Sequence, residues 1–229
     1  MSVAEQYLEV RERVENACLK AGRAPEEVKL IAVTKYVDTD RMREAFLSGA
    51  RCMGENHAQE VREKLTFYKN NAIELHFIGQ LQTNKIKYII GNAEYVHSVD
   101  REHLLTALAS AAEKAGIVQK ILLQVNIGRE PQKGGILPEA LDALTEQALR
   151  LGSLELRGLM CVPPEQEPEN ARRYFAALRK LRDDLQSRHP EAKLSELSMG
   201  MSRDYAEAVS EGATMVRVGS AIFGPRDRK

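Results

Sequence analysis

Tryptophan is absent from this 229-residue chain, and aromatic residues make up only 5% of it. That leaves little from which to build a base-stacking platform for single-stranded nucleic acid. Net charge is missing too, because 33 Lys and Arg balance 33 Asp and Glu. A chain without basic excess lacks the electrostatic footprint of a nucleic-acid or anionic-membrane binder. Cysteine is scarce, and Cys18, Cys52 and Cys161 lie far apart without a CxxC pair. Neither a zinc knuckle nor a disulfide framework is expected. No apolar run approaches the ~20 residues of a membrane span. The leading MSVAEQYLEVRERVEN is charged where a signal peptide would be apolar. These absences predict a cytoplasmic protein that binds neither nucleic acid nor membrane.

What remains is ordinary for a globular chain: 43% hydrophobic and 29% charged residues. The length suits one domain over residues 1–229, without a linker or low-complexity stretch. Ser2 and Glu5 form a capping-box pattern before Val3, Tyr7, Val10, Val14, Ala17 and Ala21, which recur at helical spacing until Gly22. VKLIAVTK (28–35) then reads as a strand buried on both faces. From there, helical and strand patterns alternate. The further strands are predicted at 50–56, 74–79, 94–99, 120–127, 154–162, 195–200 and 214–220. TNKIKYIIG and SRDYAEAVSEG are among the intervening helices. Strict alternation predicts parallel strands with right-handed crossovers, and eight such units suit a (β/α)8 barrel of the TIM type. An open doubly wound sheet is the rival. A helix precedes the first strand while only IFGPRDRK follows the eighth, so the leading helix is expected to take the place of the last one.

In such barrels the chemistry lies at the carboxyl ends of the strands. The rule selects Lys35, Glu55, Asn56, Gly79, Gln80, His97, Ser98, Asn126, Met160, Cys161, Ser198 to Ser202 and Arg217 to Ser220. Lys35 ends an apolar strand and shares a face with Ile31 and Val33. An inward-facing lysine there would tend towards a neutral, nucleophilic amine. A lysine that snorkels to solvent is the plainer explanation. SMGMS (198–202) and RVGSAIFG (217–224) follow the last two strands, where barrels commonly bind phosphate. Ser202 reads as the N-cap of SRDYAEAV, while Gly219 and Ser220 offer close backbone approach and a hydroxyl. Ordinary turn and cap chemistry is the alternative. Arg217 shares a strand face with Gly219 one layer deeper, and a buried arginine needs an acceptor: a ligand, or an acid such as Glu196. His76 and His97 read as packed, hydrogen-bonded side chains, and no histidine pair has metal-binding spacing.

The motifs VTKYV around Lys35, GENHAQE (54–60), HFIGQLQTNK (76–85), VNIGREPQKGG (125–135), GLMCVPP (158–164), LSMGMSRDYAEAV (197–209) and VRVGSAIFG (216–224) resemble the pyridoxal-phosphate homeostasis protein family, single-domain relatives of alanine racemase. The chain departs from the family pattern at Leu75 and Gln132, outside the ligand motifs. The resemblance implies a fold-type III pyridoxal 5'-phosphate (PLP) barrel. In it Lys35 would hold the cofactor as a Schiff base, and Ser202, Gly219 and Ser220 would bind its phosphate. Arg217 would face the pyridine nitrogen, Asn56 would lie near the ring hydroxyl, and Met199 and Gly200 would frame the pocket. It further implies a carrier in vitamin B6 homeostasis without established turnover, with PLP-dependent apo-enzymes as recipients, and the chain is expected to be a monomer. An amino-acid racemase is the alternative function. Against it, the chain stops at Lys229, which implies that the β-rich second domain of the racemases is absent. A lysine-dependent aldolase would use the same lysine and phosphate site but leave Arg217 unexplained.

Overall fold

The computed structural model describes residues 1–225. Eight parallel strands run in sequence order and close into a barrel. They are β1 (Lys29–Val33), β2 (Cys52–Glu55), β3 (Glu74–Phe77), β4 (Tyr95–Val99), β5 (Gln119–Val125), β6 (Leu154–Cys161), β7 (Glu196–Ser198) and β8 (Met215–Val218). Closure excludes the open sheet. The barrel seals where β1 pairs with β8, Ile31 opposite Arg217 and Ala32 opposite Val218.

The outer layer comprises α1 (Val3–Lys20), α2 (Thr39–Leu47), α3 (Ala58–Asn70), α4 (Glu102–Lys114), α5 (Leu141–Leu149), α6 (Pro168–Arg188), α7 (Tyr205–Ser210) and the single turn α8 (Ser220–Phe223). Ser2 caps α1 as expected: its Oγ accepts the Glu5 N–H at 3.2 Å, and Glu5 accepts the Ser2 N–H at 2.8 Å. This leading helix packs on α2, α7 and α8, so it fills the ring where α8 is too short to do so. Between β3 and β4 the expected α-helix is instead a 3-10 helix, Thr83–Tyr88, with Ile86 its one buried side chain. One apolar anchor per two turns does not sustain an α-helical face.

The main apolar core is the shell between strands and helices, which contains Ala32, Met53, Phe77, Val96, Leu123, Phe175 and Val218. The barrel interior holds a much smaller apolar cluster: Ile31, Tyr95, Leu122, Met160 and Met215. Beside it the interior holds the polar side chains of Glu74, His76, His97, Ser198 and Arg217.

The β5–β6 register shifts between Ile121 and Leu122, so that Leu156 and Gly158 face consecutive β5 residues. Gly158 takes φ +154° at this bulge, and a Cβ there would lie 1.9 Å from the Glu196 carbonyl oxygen on β7. Only glycine lets β6 and β7 approach so closely. Gly158→Ala should therefore lower unfolding free energy by at least ~2 kcal/mol in urea titration. Gly152→Ala, where a Cβ meets nothing within 4 Å, is the control and should shift it by less than ~0.5 kcal/mol. Equal effects would contradict the steric reading.

Candidate functional site at the carboxyl-terminal mouth

Lys35 lies two residues beyond β1, in the turn leading to α2, and is half-buried. Ile31 belongs to the interior cluster, and Val33 lies against Gly219, where an added Cβ would stand 3.3 Å from the Val33 Cβ. Ile31 and Val33 thus share the inward face of β1, and Lys35 follows them beyond the strand end.

Helix α3 grips the peptide on both sides of Lys35, a feature the sequence reading did not find. Lys64 Nζ donates to the Thr34 carbonyl at 2.8 Å, and Glu60 Oε2 accepts the Tyr36 N–H at 2.7 Å. Glu60 and Lys64 also pair with each other at 2.6 Å across one helical turn. Lys64 continues to Glu55 Oε1 at 2.9 Å, which accepts from Thr34 Oγ1 at 2.8 Å and Tyr68 OH at 2.7 Å as well. Burial pushes the Glu55 carboxyl up, against the pull of Lys64. Tyr36 sits at φ +61°, a left-handed conformation costly for a side chain of this size. The one sequence signal for the grip was the i,i+4 pair Glu60–Lys64, which reads equally as a solvated helix face.

Across the β1–β8 seam, Ser202 does not cap α7 as expected. That helix begins at Tyr205 behind Asp204, whose Oδ1 takes the Met201 N–H at 2.7 Å. Ser202 Oγ instead accepts from the N–H groups of Gly219 at 3.3 Å and Ala221 at 3.4 Å, joining the two loops at the start of α8. Ser220 is exposed at that position. The Gly200 carbonyl accepts the Arg217 N–H at 3.0 Å. The Met199 side chain packs in the outer shell, so only its main chain borders the mouth.

Arg217 lies inside the barrel at 4% exposure. Its hydrogen bonds go to neutral oxygens, Ser198 Oγ at 2.6 Å and the Cys161 carbonyl at 2.8 Å, rather than to Glu196. Below it, His97 Nδ1 meets Ser198 Oγ at 2.8 Å, and His97 Nε2 meets His76 Nδ1 at 2.8 Å. His76 Nε2 meets Glu74 Oε1 at 3.0 Å, and Lys29 Nζ bonds the same oxygen. Tyr95 stacks on His76 with centroids 5.3 Å apart. Both histidines are thus hydrogen-bonded interior groups. Burial lowers the pKa of His76, and that of His97 well below the usual value. The His76 hydrogen bond, with Lys29, holds Glu74 down at about 2. Cys52 Sγ, Glu74 and His76 offer donor atoms within 4.8 Å of one another, but the carboxylate is already committed to Lys29.

Asn56 follows β2 on the inward face, and its Oδ1 is buried without a partner among the described residues. Ser98 Oγ is buried and equally unpartnered. Gly79 is required beside Asn56, since a Cβ there would fall 2.0 Å from the Asn56 carbonyl. Asn126 instead ties down its own loop, bonding both the Glu130 carbonyl at 2.8 Å and the Glu130 N–H at 3.0 Å. Gln80 is exposed, and the Cys161 thiol lies in the outer shell. Two surface grooves of about 310 and 610 Å3 lie outside the barrel, lined by residues such as Arg43 and Phe67 or Glu113 and Arg150.

Residues 11–227 match the family described as alanine racemase, N-terminal domain. The pyridoxal phosphate homeostasis protein of Aquifex aeolicus is 44% identical over 227 residues, covering 99% of both chains. That of Pseudomonas aeruginosa is 41% identical, covering 99% of this chain and 96% of its own. The solved structure of PipY from Synechococcus elongatus, with PLP bound, superposes with a TM-score of 0.86 at 34% identity, over 97% of this chain and 100% of that one.

The buried histidines make stability pH-dependent. A histidine whose folded pKa lies below 6.5 stabilises fully above 6.5, and this contribution is lost as pH falls, because only the unfolded chain takes up the proton. Unfolding free energy should therefore fall as pH is lowered from about 7.5 to 5.5. Urea unfolding at the two pH values checks the direction, and histidine NMR should find both rings titrating below the usual histidine range. Titration of either near 6.5 would contradict it.

Proposed function

This chain belongs to the alanine racemase N-terminal-domain family and, within it, to the pyridoxal phosphate homeostasis proteins, and from that premise we propose that it binds pyridoxal 5'-phosphate at the carboxyl-terminal mouth and serves in vitamin B6 homeostasis. One observation carries the assignment. Arg217 on β8 lies in register with Ile31 of β1, and the Lys35 turn and the Gly219–Ser220 loop follow these two sealing strands at their carboxyl ends. The group fits the residues. A buried guanidinium bonded only to neutral oxygens, and an unpartnered Asn56 Oδ1, suit a polar ring, and the two loops beside them suit an anion.

When bound, the cofactor supplies an aldehyde that a primary amine captures reversibly as a Schiff base. Lys35 presents that amine from a turn whose flanking peptides are held by Lys64 and Glu60. Ser202, Gly219 and Ser220 would bind the phosphate, their hydroxyls and main-chain N–H groups serving as donors. Arg217 would donate to the pyridine nitrogen, which would leave that nitrogen unprotonated and the ring a weaker electron sink. Asn56 lies near the ring hydroxyl, and Met199 and Gly200 border the ring with main-chain atoms.

The full-length match to relatives that bear a homeostasis name supports a carrier without turnover over a racemase. PLP-dependent apo-enzymes are the recipients in this reading. The protein works as a monomer in the cytoplasm. No described helix is long and apolar enough to cross a membrane.

Lys35→Arg keeps a cation but cannot form a stable imine at neutral pH. The variant should stay folded while losing the visible absorbance of the loaded protein and the borohydride-trapped adduct. Mass spectrometry that placed the pyridoxyl group on Lys85 or Lys133 of the wild type would refute the site. Ser202→Ala combined with Ser220→Ala should weaken pyridoxal phosphate binding by about tenfold or more, ~1.4 kcal/mol, and pyridoxal far less. Equal loss for both ligands would remove the phosphate assignment. Rapid, Lys35-dependent exchange of the alanine α-hydrogen in heavy water would favour the racemase.

A further inference from the structure

The polar column inside the barrel has only one consistent arrangement of hydrogens, and its two ends decide it. At the carboxyl-terminal end a guanidinium can only donate. At the amino-terminal end Glu74, an ionised carboxylate beside Lys29, can only accept. Ser198 accepts from Arg217 at 2.6 Å and passes its own hydrogen to His97 Nδ1 at 2.8 Å. His97 therefore carries its proton on Nε2 and donates to His76 Nδ1 at 2.8 Å. His76 in turn carries its proton on Nε2 and donates to Glu74 at 3.0 Å. Each link uses one hydrogen, and both rings stay neutral.

Reversing the column would turn the His76 Nε2 lone pair against the Glu74 carboxylate at 3.0 Å. It would also make Ser198 accept from both His97 and Arg217 and send its hydroxyl hydrogen elsewhere. The charge on Glu74 is what forbids this. The column does not conduct protons, because its upper end is an arginine that does not give one up.

We infer that Glu74, at the amino-terminal mouth, is a positioning residue for Arg217 at the opposite mouth, acting through His76, His97 and Ser198. Its carboxylate sets the tautomer of both histidines and so the hydroxyl orientation of Ser198. With Nη1 committed to Ser198 and Nη2 to the Cys161 carbonyl, the remaining guanidinium hydrogens keep a fixed direction. Where this bears on the cofactor, it rests on the reading that Arg217 faces the pyridine nitrogen.

The test is Glu74→Gln, which keeps the shape but can donate as well as accept. Two controls bracket it. Lys29→Met leaves the carboxylate in place, and Glu94→Gln removes a carboxylate paired with Lys120, outside the column. Ring-nitrogen NMR of the ligand-free protein should find His76 and His97 as Nε2–H tautomers in the wild type and both controls. In folded Glu74→Gln a substantial Nδ1–H population should appear, and the Arg217 guanidinium resonances should move. Unchanged tautomers, or unmoved Arg217 resonances, would overturn the inference whether or not the protein binds PLP. On loading with pyridoxal phosphate, Glu74→Gln should bind about tenfold more weakly and shift the visible band, with both controls unaffected. If the tautomers change while affinity and band do not, Glu74 does not position Arg217 for the ligand. A wild type that fails to bind PLP refutes the proposed function alone.

Discussion

A guanidinium inside a barrel has to be satisfied by the barrel. Arg217 is 4% exposed and stays charged, so it draws in Ser198 and the Cys161 carbonyl. Ser198 then needs an acceptor for its own hydrogen, His97 needs one for its second nitrogen, and His76 needs one in turn. The sequence of debts ends only at Glu74, where the barrel opens again to solvent. The column takes space that apolar side chains would fill, which leaves five buried residues in the interior cluster. Stability accordingly resides in the shell between strands and helices, while the interior column serves the mouth.

The two faces of each strand divide the labour in the same way. On β2, Gly54 faces Ile31 inside the barrel and the following Asn56 faces the mouth. Glu55, between them, points outward and joins Lys64 and Tyr68 of α3. From α3 the same ion network returns to the peptides around Lys35. A left-handed residue such as Tyr36 costs on the order of 1–3 kcal/mol and persists where its surroundings over-determine it. Here the Glu60 carboxylate on its N–H, and the contact of its hydroxyl with His57 Nε2 at 2.8 Å, do so. The peptides on either side of Lys35 are held from the helix packed behind the strand.

The β/α rhythm was legible because each buried strand is a short apolar run bounded by an amphipathic segment, a purely local signal. Lys35 stood out for the same reason, as a charge that ends such a run. The side-chain bonds that organise the site are long-range and left no local trace. His97 and Ser198 are 101 residues apart, and Lys64 reaches Thr34 across 30. Ser202 was misread because a serine ahead of an apolar period looks like a cap. Asp204, nearer the helix, took the turn's N–H and freed Ser202 to bridge to Gly219. The pair Glu60–Lys64 was visible, but its spacing does not tell a solvated helix face from a clamp.

Strand geometry finally sets the orientation of anything bound at this mouth. Arg217 and Gly219 are two residues apart on one strand face, roughly 6.6 Å along β8 at ~3.3 Å per residue. Lys35 follows β1, the strand ~4.8 Å from β8 across the seam, in the turn two residues past its end. A ligand that places its anion at Gly219–Ser220 and a ring acceptor at Arg217 is laid along β8, with one flank towards β1. Two contacts along a strand leave rotation about their own axis, and the third, to Lys35 across the seam, removes it. The order of depth also matters. An anion held at Gly219–Ser220 would lie at the exposed rim, where Ser220 meets solvent, and an acceptor held at Arg217 would lie at the buried column.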